Sequence, residues 1–275
     1  MTTTTLKLIA LVLMLIDHIY EFIPGTPPIF TILGRISAPV FFFCTVWGFH
    51  YTRNRRVYLT RMYLCSALMG LLDFLLNTSL DQPVVPCYNN IFSTLFMTCL
   101  FVYLWERGDR VWKKILWSLG YLAMNAASLI LARLVLVQSG LTAGFENLGV
   151  EYADAYTAVI GLLPNILTCE GSFYIVIMGL VLHFCKGSRK KLISGYGIYC
   201  MAYFLLLLPP VFGNTLEMSP WQYLFGEAIQ WMQVFALPLM LCYNGQRGRN
   251  LKYLFYGFYP AHIVLLFHLG NYIAA

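Results

Sequence analysis

The chain has 275 residues, of which 59% are hydrophobic and only 11% charged, with a formal net charge of +6 and a mean hydropathy of +0.68. That composition excludes a soluble domain with a charged surface and fits a chain whose solvent is lipid. The positive balance needs no nucleic acid to explain it, because basic residues gathered at one membrane face, against anionic headgroups, give the same excess.

A hydrocarbon layer of roughly 30 Å takes about 20 apolar residues to cross as a helix. In chain order such stretches lie near 5–23, 29–49, 60–77, 90–106, 114–136, 169–185, 192–212, 221–244 and 251–272. They predict an all-α, polytopic transmembrane bundle of about nine helices, in a single domain over 1–275. The first apolar run continues to Ile16 and then meets Asp17-His18 rather than a small-residue cleavage site, so it reads as a helix and not as a cleavable signal.

The basic residues test the count independently. Lys7 precedes the first span, Arg53, Arg55, Arg56 and Arg61 follow the second, and Arg107, Arg110, Lys113 and Lys114 follow the fourth. Lys186, Arg189, Lys190 and Lys191 follow the sixth, and Arg247, Arg249 and Lys252 the eighth, which accounts for all but two of the 18 Lys and Arg. The alternate connections 24–28, 78–89, 137–168 and 213–220 hold no basic residue and carry Asp81, Glu146, Glu151, Asp154 and Glu217. This asymmetry places the N-terminus in the cytoplasm and the C-terminus outside. The apolar stretch 157–168 is too short to cross and reads as a re-entrant or interfacial segment packed against protein. The eight cysteines show no CxxC pair and no His at ligand spacing, so no metal is expected. Cys87 and Cys169 fall in outer connections, where a disulfide is conceivable.

Removing the loop charges leaves Asp17, His18, Glu21, Arg35, Asp73, Arg133, Glu170, Glu227 and His262 within or at the edges of spans. Each is expensive in lipid, so each is expected to face the bundle interior. At 1.5 Å per residue His18 stands roughly 18 Å beyond Leu6, past the midplane. Apart from His262, near the middle of its span, the others fall in the outer half, which points to a polar cavity opening outward. Ion pairs such as Arg35 with Asp17 or Asp73, and Arg133 with Glu170, explain individual charges equally well. His18 is the natural proton acceptor, since imidazole titrates near neutrality. Successive helix positions point about 100° apart, so its orienting partner comes from Glu21 one turn on or from another helix, not from Asp17. His262 follows Pro260, a residue that removes a helical hydrogen bond and can open a polar gap, and Tyr259 lies on nearly the same face. His50, His183 and His268 read as interfacial.

The segments LKLIALVLMLIDHI, GRISAPVFFF, GFHYTRNRRVYLTR, NNIFSTLF and YLFYGFYPAHIVLL, in this order, resemble the TraX family of multi-pass membrane proteins. The resemblance implies a membrane acyltransferase of the bacterial cytoplasmic membrane, since the family takes its name from a conjugation protein that acetylates pilin. The implied donor is acetyl-CoA or another acyl-CoA, and the acceptor an extracytoplasmic amine or hydroxyl. Asp17, His18, Arg35 and His262 stand at the motif positions. His18 would act as general base and Arg35 as oxyanion or acceptor clamp, while His262 with Tyr259 lines an acyl tunnel or protonates the leaving thiolate. Arg53, Arg55 and Arg56 would attract the phosphates of the donor, though orientation signalling explains them as well. Family members often carry acids at the positions of Trp47 and near Met69-Gly70, which leaves Asp73 as a substitute or marks a different acceptor. Two other functions fit the same residues, a transporter or proton-coupled exporter and a scaffold for a pilin-like partner. Neither the acceptor nor the oligomeric state is encoded in any motif.

Overall fold

A computed structural model describes residues 1–80, 83–135, 158–212 and 218–274. Asp81, Glu146, Glu151, Asp154 and Glu217 lie outside them. The described residues are helical and contain no strand. The helices are α1 (Thr3–Phe22), α2 (Ile29–Gly34), α3 (Ser37–Tyr51), α4 (Arg55–Ser79), α5 (Ile91–Arg107), α6 (Val111–Arg133), α7 (Ser172–Phe184), α8 (Arg189–Leu206) and α9 (Lys252–Ala274), with a broken element between the last two. Helix starts coincide with capping residues. Thr2, Asn54, Asn90 and Ser188 each accept a hydrogen bond from the backbone N–H three residues on, satisfying a donor that the first turn leaves orphaned.

Among the described residues four segments stand out by length and composition as candidate membrane spans, namely Ile29–Tyr51, Arg55–Ser79, Val111–Arg133 and Arg189–Val211. A fifth is the broken element, in which Pro220–Glu227 and Ile229–Leu241 meet at 62°. The chain divides into two compact units.

The first unit comprises Met1–Trp47, Val181–His262 and His268–Ala274. In it α1 and α9 run in the same direction. At one end the Thr3 and Thr4 amides donate to the carbonyls of Gln246 and Arg247, just before α9. At the other end Gly270 lies against the Phe22 backbone, where an added Cβ would stand 2.1 Å from the carbonyl oxygen. Glycine is required there by close approach. The broken element passes through a π-helical turn, Tyr223–Glu227, and a 3-10 stretch, Ile229–Phe235, before a final helical turn and a half, Ala236–Leu241. Its corner is strapped by the Trp231 indole N–H donating to the Leu224 carbonyl at 2.9 Å. Tyr196 of α8 holds the 3-10 stretch through a 2.7 Å hydrogen bond to the Gln233 carbonyl.

The second unit comprises Gly48–Leu180 with Ile263–Phe267 and is built on α4, α5 and α6. Phe49, Leu59, Cys99 and Val102 form one buried cluster, and Met97, Tyr121, Cys169 and Val176 another. Within 157–168 the described residues form a single helical turn at 158–162 followed by turns. This segment packs backbone to backbone on α4, since a Cβ on Gly161 would lie 2.6 Å from the Gly70 Cα. Asn165 then donates to the Asn125 carbonyl and the Ser128 hydroxyl of α6, and Asn125 accepts from the Ile166 amide at 2.9 Å. The segment is therefore packed against protein and tied to it by these hydrogen bonds. Gly161→Leu is expected to destabilise the protein by about 1–3 kcal/mol through overpacking against Gly70, read as a lower unfolding midpoint in detergent.

Candidate functional site

The first unit gathers five of the expected charged or titratable residues, Asp17, His18, Glu21, Arg35 and His262, around α1. His18, 5% exposed, faces His262 of α9, also 5% exposed, across a 2.7 Å contact between His18 Nδ1 and His262 Nε2. The rings are stacked with centroids 4.9 Å apart. His262 Nδ1 lies 2.8 Å from the Phe258 carbonyl, one turn back on its own helix. These two contacts fix the tautomers of a neutral pair. A carbonyl only accepts, so His262 carries its proton on Nδ1 and offers the Nε2 lone pair, and His18 Nδ1 must be the donor. The His18 Nε2 lone pair is left on the side of Glu21. Glu21, one turn along α1, places Oε2 3.9 Å from it, with a side chain 42% exposed. The partner foreseen from Glu21 or from another helix comes from both.

The environment of the pair is aromatic. Phe258 stacks on His262 at 4.9 Å, and buried Tyr259 stands edge-on at 6.1 Å from His18 and 5.6 Å from His262. α9 continues through Pro260, whose missing N–H removes one backbone donor in the turn that presents His262.

Asp17 points to the other side of α1, as a 100° step requires. Arg35 Nη2 donates to both of its carboxylate oxygens at 2.8 and 2.7 Å. Arg35 is held further by Thr31, through the carbonyl at 3.2 Å and the hydroxyl at 3.1 Å, and by Gln230 Oε1 at 3.0 Å from Nη1. Of the two partners the sequence allowed for Arg35, Asp17 is the one realised. The second Nη1 hydrogen has no partner among the described residues. Gly34 is what permits this packing, since an added Cβ would lie 2.2 Å from the Asp17 Cγ. Gly34→Ala is therefore expected to displace Asp17 and weaken the pair. Its destabilisation, about 1–3 kcal/mol, should be non-additive with that of Asp17→Asn in a thermal double-mutant cycle.

Thr31, Gln230 and Gly34 were not singled out from sequence. The signal existed for Gln230, a polar residue inside the apolar run AIQWMQVF, and for Thr31, one turn before Arg35.

Several expected residues stand elsewhere. Asp73, Arg133 and Glu170 belong to the second unit. Asp73 is buried and accepts from the Cys87 thiol at 3.3 Å, while Asn77 exchanges two hydrogen bonds with the Cys87 backbone at 2.9 and 2.7 Å. The Glu170 carbonyl accepts from Thr94 at 2.7 Å. Two expectations of inward-facing charge fail. Arg133, the last residue of α6, is exposed and forms no ion pair with Glu170 among the described residues. A helix end lets a long side chain reach a polar surface, so it need not turn inward. Glu227 is exposed because it closes the π-helical turn, whose widened register turns it out of the packed face.

The arginines expected to attract phosphates are also in the second unit, and two have partners of their own. Arg55 pairs with Glu106 and lies over the Phe49 ring, and Arg56 donates to the Tyr103 hydroxyl at 3.3 Å. Arg53 precedes α4 on an exposed bend. His183, expected at the interface, is buried and contacts the Lys186 ammonium at 3.2 Å. All eight cysteines, Cys87 and Cys169 included, are free thiols.

Several long apolar helices, with charged and polar side chains buried among them, define a multi-pass membrane protein. The family model described as TraX protein matches residues 2–270, nearly the whole chain, and the chain belongs to the TraX family. No curated protein and no solved structure matches it.

Proposed function

We propose that this protein is a membrane acyltransferase that moves an acetyl or other acyl group from cytoplasmic acyl-CoA to an extracytoplasmic amine or hydroxyl, with His18 as general base. The observation that carries this reading is the hydrogen-bonded file from the Phe258 carbonyl through His262 to His18, which leaves one defined lone pair at His18 Nε2. A base held in one tautomer by a second group is the arrangement that proton abstraction needs.

In the proposed reaction His18 Nε2 takes the proton of the acceptor as its nitrogen or oxygen attacks the thioester carbonyl. Glu21, 3.9 Å away, offsets the imidazolium charge that forms. The carbon–sulfur bond breaks, and the imidazolium returns the proton to the leaving thiolate, so His18 ends as it began. Arg35 has one Nη1 hydrogen to offer the developing oxyanion, and its pair with Asp17 holds the guanidinium in place. His262 is a positioning residue in this scheme, because its Nε2 is occupied by His18 and its Nδ1 by Phe258.

The proposed topology is nine crossings with the N-terminus inside and the C-terminus outside. It gains support from α1 and α9, which enter from the same end, as two odd-numbered crossings must. The test is thiol release from acetyl-CoA by the purified protein in nanodiscs, with and without envelope extract as a source of acceptor. Acceptor-dependent release is expected, and its absence would remove the reading. The broken element favours a second reading, a proton-coupled transporter, since interrupted helices line many transport sites. It requires proton flux in proteoliposomes without any acyl-CoA.

A further inference from the structure

The first unit carries, at the end of α1 opposite His18, an open groove of about 180 Å³ that the mechanism above does not use. One wall is aromatic. Phe43 and Trp47, one turn apart on α3, meet Tyr243 with centroids 5.5 and 5.3 Å away, and each other at 5.7 Å, in a mutually tilted trio. The other wall is the connection Lys186–Arg189 and the first turn of α8. Gly187 and Gly245, also lining the groove, have φ of +83° and +81° with open space where a Cβ would stand, so neither wall is filled by a side chain at these points.

The charge at this end is one-sided. Lys7, Lys186, Arg189, Lys190, Lys191, Arg247, Arg249 and Lys252 all belong to the ends of elements that meet here. The described carboxylates of the unit, Asp17, Glu21 and Glu227, lie at or beyond the outer turns of α1 and before the break in the broken element. Arg189 makes no hydrogen bond or ion pair among the described residues. Lys7, in the L-K-x-I-A motif, has the Phe255 ring at 5.5 Å and no carboxylate partner among the described residues.

Orientation signalling alone explains loop cations but not a cage of three rings beside them. An apolar cavity of ~150 Å³ is enough for one benzene ring, so this groove admits a ring system. Rings that stack and cations that pair with phosphate together select a phosphorylated aromatic base. We propose that this groove holds the phosphorylated nucleotide end of the acyl donor, with Trp47 and Tyr243 against the base and Lys186 and Arg189 on the phosphates. The proposal rests on the acyl-transfer reading and replaces Arg53, Arg55 and Arg56 as the phosphate-binding set. Thr3, whose hydroxyl donates to Tyr243, is 15 residues before His18, roughly 22 Å along α1 at 1.5 Å per residue. A donor whose thioester stands at the end of a long flexible arm is the kind of ligand that spans such a distance.

The probe is adenosine 3′,5′-bisphosphate, titrated into full-length protein in nanodiscs of neutral phosphatidylcholine. Saturable binding displaced by acetyl-CoA is expected. It should weaken by about tenfold or more in Lys186→Gln/Arg189→Gln and in Trp47→Leu, variants checked for unchanged unfolding midpoints, and stay unchanged in Arg55→Gln. A second arm replaces part of the lipid with phosphatidylglycerol. If the anionic lipid abolishes probe binding, the groove is a headgroup site and the proposal falls. It falls equally if the wild type does not bind the probe or if both groove variants bind it undiminished. His18→Asn separates the two readings. Binding retained in that variant with thiol release lost supports both, whereas binding by a wild type that never releases thiol keeps the groove and removes the reaction. Normal turnover with no groove-dependent binding does the reverse.

Discussion

Replacing His18 with asparagine is expected to lower acyl transfer by about 10²–10⁴-fold while leaving the protein folded, the range by which a positioned general base accelerates proton transfer. Asparagine keeps a donor that can reach His262 Nε2, so the α1–α9 contact survives while the basic lone pair is lost. The fold is checked by size-exclusion profile and thermal midpoint, and the activity by initial rates of thiol release. His262→Gln should act in a different way. It removes the group that fixes the His18 tautomer without removing the base, so the expected result is a smaller loss in kcat together with a displaced pH–rate profile. A purely structural role for His262 would instead lower the amount of folded protein and leave the profile of the remainder unchanged.

The second large effect is expected at the Asp17–Arg35 pair. Removing one partner of a buried ion pair costs roughly 3–5 kcal/mol, because the other charge is left uncompensated. Here the side chains are 27% and 21% exposed, and solvent screening reduces the expected cost of Arg35→Met to about 2 kcal/mol. Asp17→Asn should cost less, since Thr31 and Gln230 continue to hold the guanidinium. Thermal unfolding of both single variants and the double variant gives the coupling energy. A value near zero would mean that Arg35 is held by Thr31 and Gln230 alone. Because Gln230 sits just beyond the bend of the broken element, the corner and the ion pair should also be coupled, with Gln230→Ala lowering transfer through Arg35.

The all-helical, membrane-spanning character was legible in the sequence because apolar length is a local property, though the caps Asn54, Asn90 and Ser188, which set the helix starts, were not read from it. The short length of 157–168 likewise pointed to a segment packed on protein, and the Gly161–Gly70 approach shows how. The helical turn and the break in 220–241 were not legible, since an apolar run has the same hydropathy whether straight or bent. Asp17, His18, Arg35, Glu21 and His262 were all marked by the expense of charge in an apolar run, but which pairs with which was not. The His18–His262 contact joins residues 244 positions apart, and no local signal carries that distance. Arg133 and Glu227 show the limit of the same argument. A charge near the end of a helix or at an irregular turn has a route to the surface that hydropathy alone does not reveal.

The proposed reaction transfers an acyl group, and following that group tests it. Isotopically labelled acetyl-CoA would be supplied on one side of sealed proteoliposomes with envelope extract on the other, and label covalently bound to extract components measured by mass spectrometry. Amide- or ester-linked label is expected on the side opposite the donor, dependent on His18. Label that stays on coenzyme A, or transfer that proceeds unchanged in His18→Asn, would contradict it.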